Sequence, residues 1–90
     1  VDIALGKHVL INLNSTIGHD VTIGDYSSIM PGVHLSGFVQ LGTGVMVGTG
    51  ASILQNLKVG DYARVGAGAM VTADVNSGAT VTGIPAREKV

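Results

Sequence analysis

The residue best suited to chemistry in this chain is His19, together with the adjacent Asp20 and with Gly37, which lies 18 positions later. His19 is one of three histidines among 90 residues and is followed directly by Asp20. Imidazole changes protonation between pH 5 and 8, so a neutral histidine can remove a proton from an attacking hydroxyl or amine. A carboxylate beside it can orient the ring. Equally, both side chains could simply be solvated at a bend.

A six-residue repeat determines where His19 lies. Every sixth residue is Leu, Ile or Val, and a small or aliphatic residue precedes each of them by two positions. This period predicts a parallel β-helix in which three hexapeptides make one triangular coil. The repeated residues are expected to point inward and form the core; they are Leu5, Ile11, Ile17, Ile23, Ile29, Leu35, Leu41, Val47, Ile53, Val59, Val65 and Val71.

Stacking of coils gives each residue a neighbour 18 positions later. For His19 that neighbour is Gly37, which has no side chain and whose N–H can approach a ligand closely. The same rule places His34 over Thr16 on the outer surface and leaves His8 as a surface residue at a bend. The glycines that follow the inward residues, such as Gly24 and Gly60, are expected to supply backbone freedom at the bends.

The two ends of the chain differ from its middle. The β-helix is predicted over residues 1–75, as about four uninterrupted coils, and the repeat stops at Asp74-Val75. Residues 76–90 run out of period, and Gly83 and Pro85 indicate an irregular or extended tail. At the other end, either Val1 and Asp2 cap the first coil or an N-terminal domain is missing from the sequence.

Composition excludes several functions. A net charge of −1 and 3% aromatic residues argue against a nucleic-acid partner. Mean hydropathy is +0.47, but no apolar run is long enough to span a membrane. There is no signal-peptide pattern and no Cys, so we expect a cytoplasmic protein without disulfides, Cys metal ligands or a thiol nucleophile.

Several motifs carry a resemblance to a known family. The repeat, followed by Val81-x-Gly83-x-Pro85-Ala86-Arg87, resembles the left-handed β-helix acyltransferases, which use acetyl-CoA or a related thioester. The left hand comes from this resemblance alone, since the general crossover rule favours the right hand. The segments Ile11-Asn12, 17–20, 23–25, Pro31, 35–37 and 53–56 are similar to one group, the bacterial sialic acid O-acetyltransferase and UDP-4-amino-sugar N-acetyltransferase family.

The resemblance implies a role for individual residues. His19 matches the general base, and Gly37 matches the residue whose N–H binds the thioester oxygen. Ser28 stands nine residues after the base, where several relatives carry a second His that holds donor or acceptor. Phe38 stands where a polar residue is common, so these two departures leave the acceptor open. The residues expected to bind acetyl-CoA are Gly66, Ala67, Gly68, Gly83, Pro85, Ala86 and Arg87, with Arg87 and Lys89 near its phosphates.

The predicted function is therefore acetyl-CoA-dependent acetylation of an amino sugar or nucleotide sugar for surface glycans, by direct transfer in a homotrimer. In the resembled family an N-terminal domain binds the nucleotide sugar. Two alternatives stay open: another hexapeptide O-acetyltransferase with a small hydroxylated acceptor, and a non-catalytic β-helix scaffold. A γ-class carbonic anhydrase is disfavoured because His8, His19 and His34 occupy different coil phases, and an ice-binding surface because the threonines form no rank.

Overall fold

A computed structural model describes residues 2–89, so Val1 and its predicted capping role lie outside it, as does Val90 at the end of the tail. Within that range the chain forms fourteen short strands and no helix. Twelve of them contain two residues and recur every six positions, as the period predicts: β1 Ala4–Leu5, β2 Leu10–Ile11, β3 Thr16–Ile17, β4 Thr22–Ile23, β5 Ser28–Ile29, β6 His34–Leu35, β7 Gln40–Leu41, β8 Met46–Val47, β9 Ser52–Ile53, β10 Lys58–Val59, β11 Arg64–Val65 and β12 Met70–Val71. They are followed by β13 Thr80–Thr82 and β14 Arg87–Glu88.

These strands form the three walls of a triangular β-helix. Sheet A contains β1, β4, β7 and β10; sheet C contains β3, β6, β9 and β12; sheet B contains β2, β5, β8 and β11, followed by β13 and β14. Pairing between the twelve repeat strands is parallel with a register of 18, as in Ile23 opposite Leu41. The predicted all-β parallel β-helix of about four coils is confirmed.

Three corners connect the walls, and we name them by the sheets that they join. Corner AB contains residues 6–9, 24–27, 42–45 and 60–63; corner BC contains residues 12–15, 30–33, 48–51 and 66–69; corner CA contains residues 18–21 and 36–39 with their successors at 54–57. His19 and Gly37 therefore lie in adjacent coils of corner CA.

The core is a column of aliphatic side chains that is complete only above the first coil. The repeated residues from Ile23 to Val71 are all buried, whereas Leu5 is 53% and Ile11 is 36% exposed. The prediction that all twelve repeated residues form the core is wrong for these two, because among the described residues no coil lies beneath them. Ile17, in the same coil, is half-buried against the column.

The bends use glycine differently from the prediction. The left-handed conformation falls at the second of the two turn residues in each bend, and seven of those residues are not glycine, including Asp20 (φ 57°) and Phe38 (φ 61°). The glycines after the inward residues have no such φ. A Cβ at Gly24 would instead lie 2.6 Å from the Gly42 carbonyl carbon in the next coil, so these positions require the absence of a side chain for close approach between coils.

The chain continues to pair with the β-helix beyond Val75. Val75 forms a bridge with Val59 and Val81 pairs with Val65, so the offset between stacked positions falls here from 18 to 16. The six-residue spacing resumes from Val75 to Val81. Because only four positions separate Val71 from Val75, a strict count of six does not recognise these two valines as repeat positions. Beyond the cis Ile84-Pro85 bond, β14 returns antiparallel to β13, so these two strands of the tail extend sheet B.

Candidate active site

His19 is the first turn residue of the bend between β3 and β4 in corner CA. Its Nδ1 lies 3.0 Å from Oδ2 of Asp20, and the two side chains are 58% and 42% exposed. Because a carboxylate can only accept, the neutral ring donates from Nδ1 and keeps its lone pair on Nε2. The pairing suggested by the adjacent Asp20 is therefore present, and it leaves Nε2 as the basic atom.

The backbone of Asp20 explains how two adjacent side chains come to face each other. Its φ of 57° is left-handed, a conformation that Asp tolerates better than most residues. This turns the chain sharply after His19 and brings the carboxylate back to the imidazole. Hydrogen bonds on both sides hold the bend to the next coil: Gly18 N–H donates to the Leu35 carbonyl (2.7 Å), and Phe38 N–H donates to the His19 carbonyl (3.0 Å).

Gly37 lies directly against the imidazole, as the stacking rule predicted. A Cβ built on Gly37 would be 2.8 Å from His19 Nε2 and 3.0 Å from its Cε1, so any larger residue would push the ring away. The Gly37 N–H donates to no acceptor within residues 2–89. The residue that lies against the basic nitrogen therefore carries an unused donor.

Corner AB shows what this amide position looks like when it is satisfied. There the first turn residue of one coil donates its N–H to the side chain of the first turn residue in the next coil: Lys7 to Asp25 (2.7 Å), Thr43 to Asp61 (2.8 Å) and Asp61 to Ser77 (3.1 Å). In corner CA the matching acceptor above His19 would be Gly37, which has no side chain. The one above Gly37 would be Gln55, which forms no such hydrogen bond in the described part of the chain. At His19 and Gly37, corner CA therefore lacks the hydrogen bond from a turn N–H to a side chain in the next coil that recurs in corner AB.

Phe38 is a contact that the sequence analysis missed. Its ring meets the His19 ring edge to face, with centroids 4.9 Å apart and planes at 89°. The signal was available, since Phe38 follows Asp20 by one complete coil and therefore stacks beside the same bend. From the sequence alone, Phe38 stands out only as a departure from the resembled pattern.

Ser28 does not join His19 within one chain. It lies half-buried in β5 on sheet B, between Leu10 and Met46 of the neighbouring strands. Sheet B is the wall opposite corner CA in a triangular coil. A role for Ser28 at the His19 site would require a second copy of the chain.

The residues predicted to bind acetyl-CoA form a group of their own at corner BC and the tail. Met70 connects them, because its N–H donates to the Gly83 carbonyl (3.0 Å) and its carbonyl accepts from Ala86 N–H (2.7 Å). A Cβ on Gly66 would meet Thr82 Cγ2 at 2.9 Å. Exposed residues complete the group: Ala67, Gly68, Pro85 and Arg87. It lies three coils from His19, about 14 Å along the axis at about 4.8 Å per coil.

The other two histidines are separate from this site. His34 Nδ1 lies 2.6 Å from Thr16 Oγ1 on sheet C, the stacking partner predicted for it. His8 stacks on Tyr26 in corner AB, with ring centroids 5.3 Å apart. No group of three or more His, Asp or Glu side chains that could hold a metal ion is found in residues 2–89.

Two open clefts lie along sheet A, and one of them borders Asp20. One of about 420 Å³ is lined by Asp2, Ile3, Ala4, Asp20 and Thr22. A second of about 430 Å³ also begins at Thr22 and extends past Gln40 and Lys58 to Ser77. The wall beside the His19–Asp20 pair is therefore accessible to a ligand.

The β-helix resembles solved structures, serine acetyltransferases among them, over nearly its whole length. WeeI from Acinetobacter baumannii AYE is 39% identical with a TM-score of 0.95, over 98% of this chain and 44% of that one. Serine acetyltransferase (CysE) from Neisseria gonorrhoeae is 33% identical with a TM-score of 0.92, over 98% of this chain and 39% of that one. Soybean serine acetyltransferase is 36% identical with a TM-score of 0.92, over 97% of this chain and 40% of that one.

These similarities confirm the resemblance at the level of the hexapeptide-repeat acetyltransferases, and a left-handed β-helix with it, since coils of opposite hand do not superpose. One similar structure is a complex of serine acetyltransferase with CoA. The chain spans about two-fifths of the length of these proteins. No protein-family model and no curated protein sequence matches it, and no helix of residues 2–89 is long and apolar enough to cross a membrane.

Proposed function

We propose that this chain is the acetyl-transferring β-helix of an acetyl-CoA-dependent acetyltransferase, with His19 as its general base. The observation that carries the proposal is the arrangement at corner CA. Asp20 accepts from Nδ1 of His19 at 3.0 Å, which leaves Nε2 basic, and Gly37, the residue against that nitrogen, has an N–H that donates to no acceptor within residues 2–89.

The arrangement suits acyl transfer from a thioester. Nε2 takes the proton from the acceptor's hydroxyl or amine as its oxygen or nitrogen attacks the thioester carbonyl. The negative charge that develops on the carbonyl oxygen is stabilised by the Gly37 N–H. The carbon–sulfur bond then breaks, and the imidazolium returns its proton to the CoA thiolate. Because the chain has no Cys, the acetyl group passes directly to the acceptor.

A homotrimer would bring the remaining predicted residues to this site. Within one chain, Ser28 is on the opposite wall and the group from Gly66 to Arg87 is at another corner. In an assembly of three copies, corner CA of one copy can face sheet B and corner BC of the next, since cyclic symmetry repeats one interface. The acetyl-CoA arm would then lie in the groove between copies, with Arg87 and Lys89 near its phosphates and Ser28 near the reacting groups.

For the acceptor, we infer an amino sugar or nucleotide sugar, as the motifs around His19 imply. A second candidate is a small hydroxylated acceptor such as serine. It is favoured by the similarity to serine acetyltransferases at 33% and 36% identity. The two candidates share the base and the donor and differ in the group that occupies the cleft beside Asp20.

The test is release of CoA thiol, which can be followed with a thiol reagent without background because the chain has no Cys. Acetyl-CoA is supplied with L-serine in one arm and with UDP-linked amino sugars in another. His19→Ala should lower kcat by about 10²-fold or more. His8→Ala is the matched control, since His8 is also an exposed bend histidine but lies in corner AB.

Near-full turnover by His19→Ala would refute the role of His19. Calorimetric titration with acetyl-CoA, together with the oligomeric mass, tests the donor site independently of the acceptor. A folded trimer that does not bind acetyl-CoA would favour the non-catalytic scaffold instead.

A further inference from the structure

We infer that Phe38 is a positioning residue for the base: its ring holds the His19 imidazole in the orientation that presents Nε2 to the substrates. This inference rests on the proposed function. Phe38 contacts the ring edge to face, with centroids 4.9 Å apart and planes at 89°.

The His19 ring needs such a support because little else holds it. Its side chain is 58% exposed, so core packing does not restrict its rotation. Asp20 holds one atom, Nδ1, and the ring could still turn about that hydrogen bond. Gly37 limits one face of the ring but, lacking a side chain, does not grip it. Phe38 supplies the missing contact, and an edge-to-face pair has a preferred geometry.

Phe38 occupies a bend position with a costly backbone conformation. Its φ is 61°, a region that bulky residues adopt at a cost in strain and that Asn and Asp tolerate. Asn14, Asp20 and Asn56 fill the equivalent position at other bends, and so do Tyr26 and Tyr62. Phe38 is also 50% exposed, so burial of its ring compensates only in part.

The other aromatic residues at this bend position also contact the coil beneath them. Tyr26 stacks on His8 with planes at 13°, and a Cβ on Gly44 would lie 2.6 Å from the ring of Tyr62. Of these three rings, only that of Phe38 contacts His19. It therefore combines an unfavourable backbone with a contact to the base.

The experiment compares Phe38→Asn with a matched control, Tyr62→Asn. Tyr62 occupies the same bend position with φ 60° and is 66% exposed, but it lies in corner AB. Both substitutions should leave the unfolding temperature unchanged or raise it, because Asn tolerates this φ. We expect Phe38→Asn to lower kcat at least tenfold with little change in KM for acetyl-CoA. Tyr62→Asn should retain wild-type turnover. Phe38→Tyr, which keeps an aromatic ring at this position, should retain it as well.

A second readout does not depend on turnover. The Phe38 ring current shifts the carbon-bound protons of the His19 imidazole, which NMR can resolve because the chain has only three histidines. Phe38→Asn should abolish that shift and Tyr62→Asn should not. Wild-type kcat in Phe38→Asn, or unchanged His19 resonances, would overturn the inference. If the wild-type chain itself transfers no acetyl group, the proposed function fails, while the resonances still decide whether Phe38 holds the ring.

Discussion

At the scale of single residues, the candidate site is the His19 imidazole and its contacts with three neighbouring residues. Asp20 fixes the tautomer, Phe38 contacts the ring edge to face, and Gly37 leaves room for the ring while presenting an N–H. The sequence predicted two of these neighbours, Asp20 by adjacency and Gly37 by its place one coil later. It did not predict the orientation of Phe38, because the side-chain angles at a half-exposed bend do not follow from a repeat.

Gly37→Ala should abolish turnover with little effect on folding. The new methyl carbon would lie 2.8 Å from Nε2 and 3.0 Å from Cε1 of His19, so the exposed ring must swing away from the donor. The φ of Gly37 is not in the left-handed region, so alanine fits its backbone. We expect a loss of at least about 10²-fold in kcat, the size typical of a displaced base, with the free energy of unfolding changed by less than about 1 kcal/mol.

Thiol release and urea denaturation measure these two quantities on the same preparation. A strongly destabilised but active Gly37→Ala variant would contradict the close contact between Gly37 and the ring.

At the scale of elements, the bends show where the sequence signal was misread. The recurring glycines suggested flexible turns, but they are positions of close contact between coils. The left-handed residues come two positions later, and of the thirteen with positive φ in residues 2–89, seven are not glycine. A single sequence shows only which residue recurs, and glycine serves conformational freedom and close approach equally well. The position of the next coil in the structure distinguishes these two roles of glycine.

This distinction predicts unequal effects for two glycine substitutions. Gly24→Ala places a Cβ 2.6 Å from the Gly42 carbonyl carbon and 2.8 Å from the Thr43 nitrogen, so two coils must move apart. We expect it to cost about 3 kcal/mol or more in unfolding free energy, at the upper end for overpacking. Gly50→Ala has no atom within 4 Å of its Cβ and only the φ of +72° to oppose it, for a cost of about 1 kcal/mol.

Chemical denaturation of the two variants decides the matter. Equal losses, or a larger loss for Gly50→Ala, would mean that backbone conformation and not contact between coils controls the choice of glycine.

At the scale of the whole molecule, the period predicted the strands, the register and the three walls. It did not show that Leu5 and Ile11 would be exposed, because a repeat assigns the same environment to each copy. It also missed the shortened last coil, since the loss of two positions after Val71 breaks a strict count although Val75 and Val81 still pair with Val59 and Val65.

The exposure of Leu5 predicts a gradient of sensitivity along sheet A of this chain. Ile23 is 1% exposed and Leu5, its partner one coil earlier, is 53% exposed. Ile23→Ala should cost about 2–5 kcal/mol, as large-to-small core substitutions do. Leu5→Ala should cost about 0.5 kcal/mol, the range for surface positions. Urea titrations give both values, and similar losses would show that the first coil is packed as tightly as the second.

The stacking of coils also gives the molecule a fixed unit of length. Every coil advances the chain by about 4.8 Å, and His19 and the group around Gly66 to Arg87 lie on different coils of the same column. Their axial separation can therefore change only in whole steps, by insertion or deletion of a complete coil between Gly37 and Gly66. A variant with one duplicated coil would place His19 one further step of about 4.8 Å from that group, so the number of repeats sets the spacing between the two.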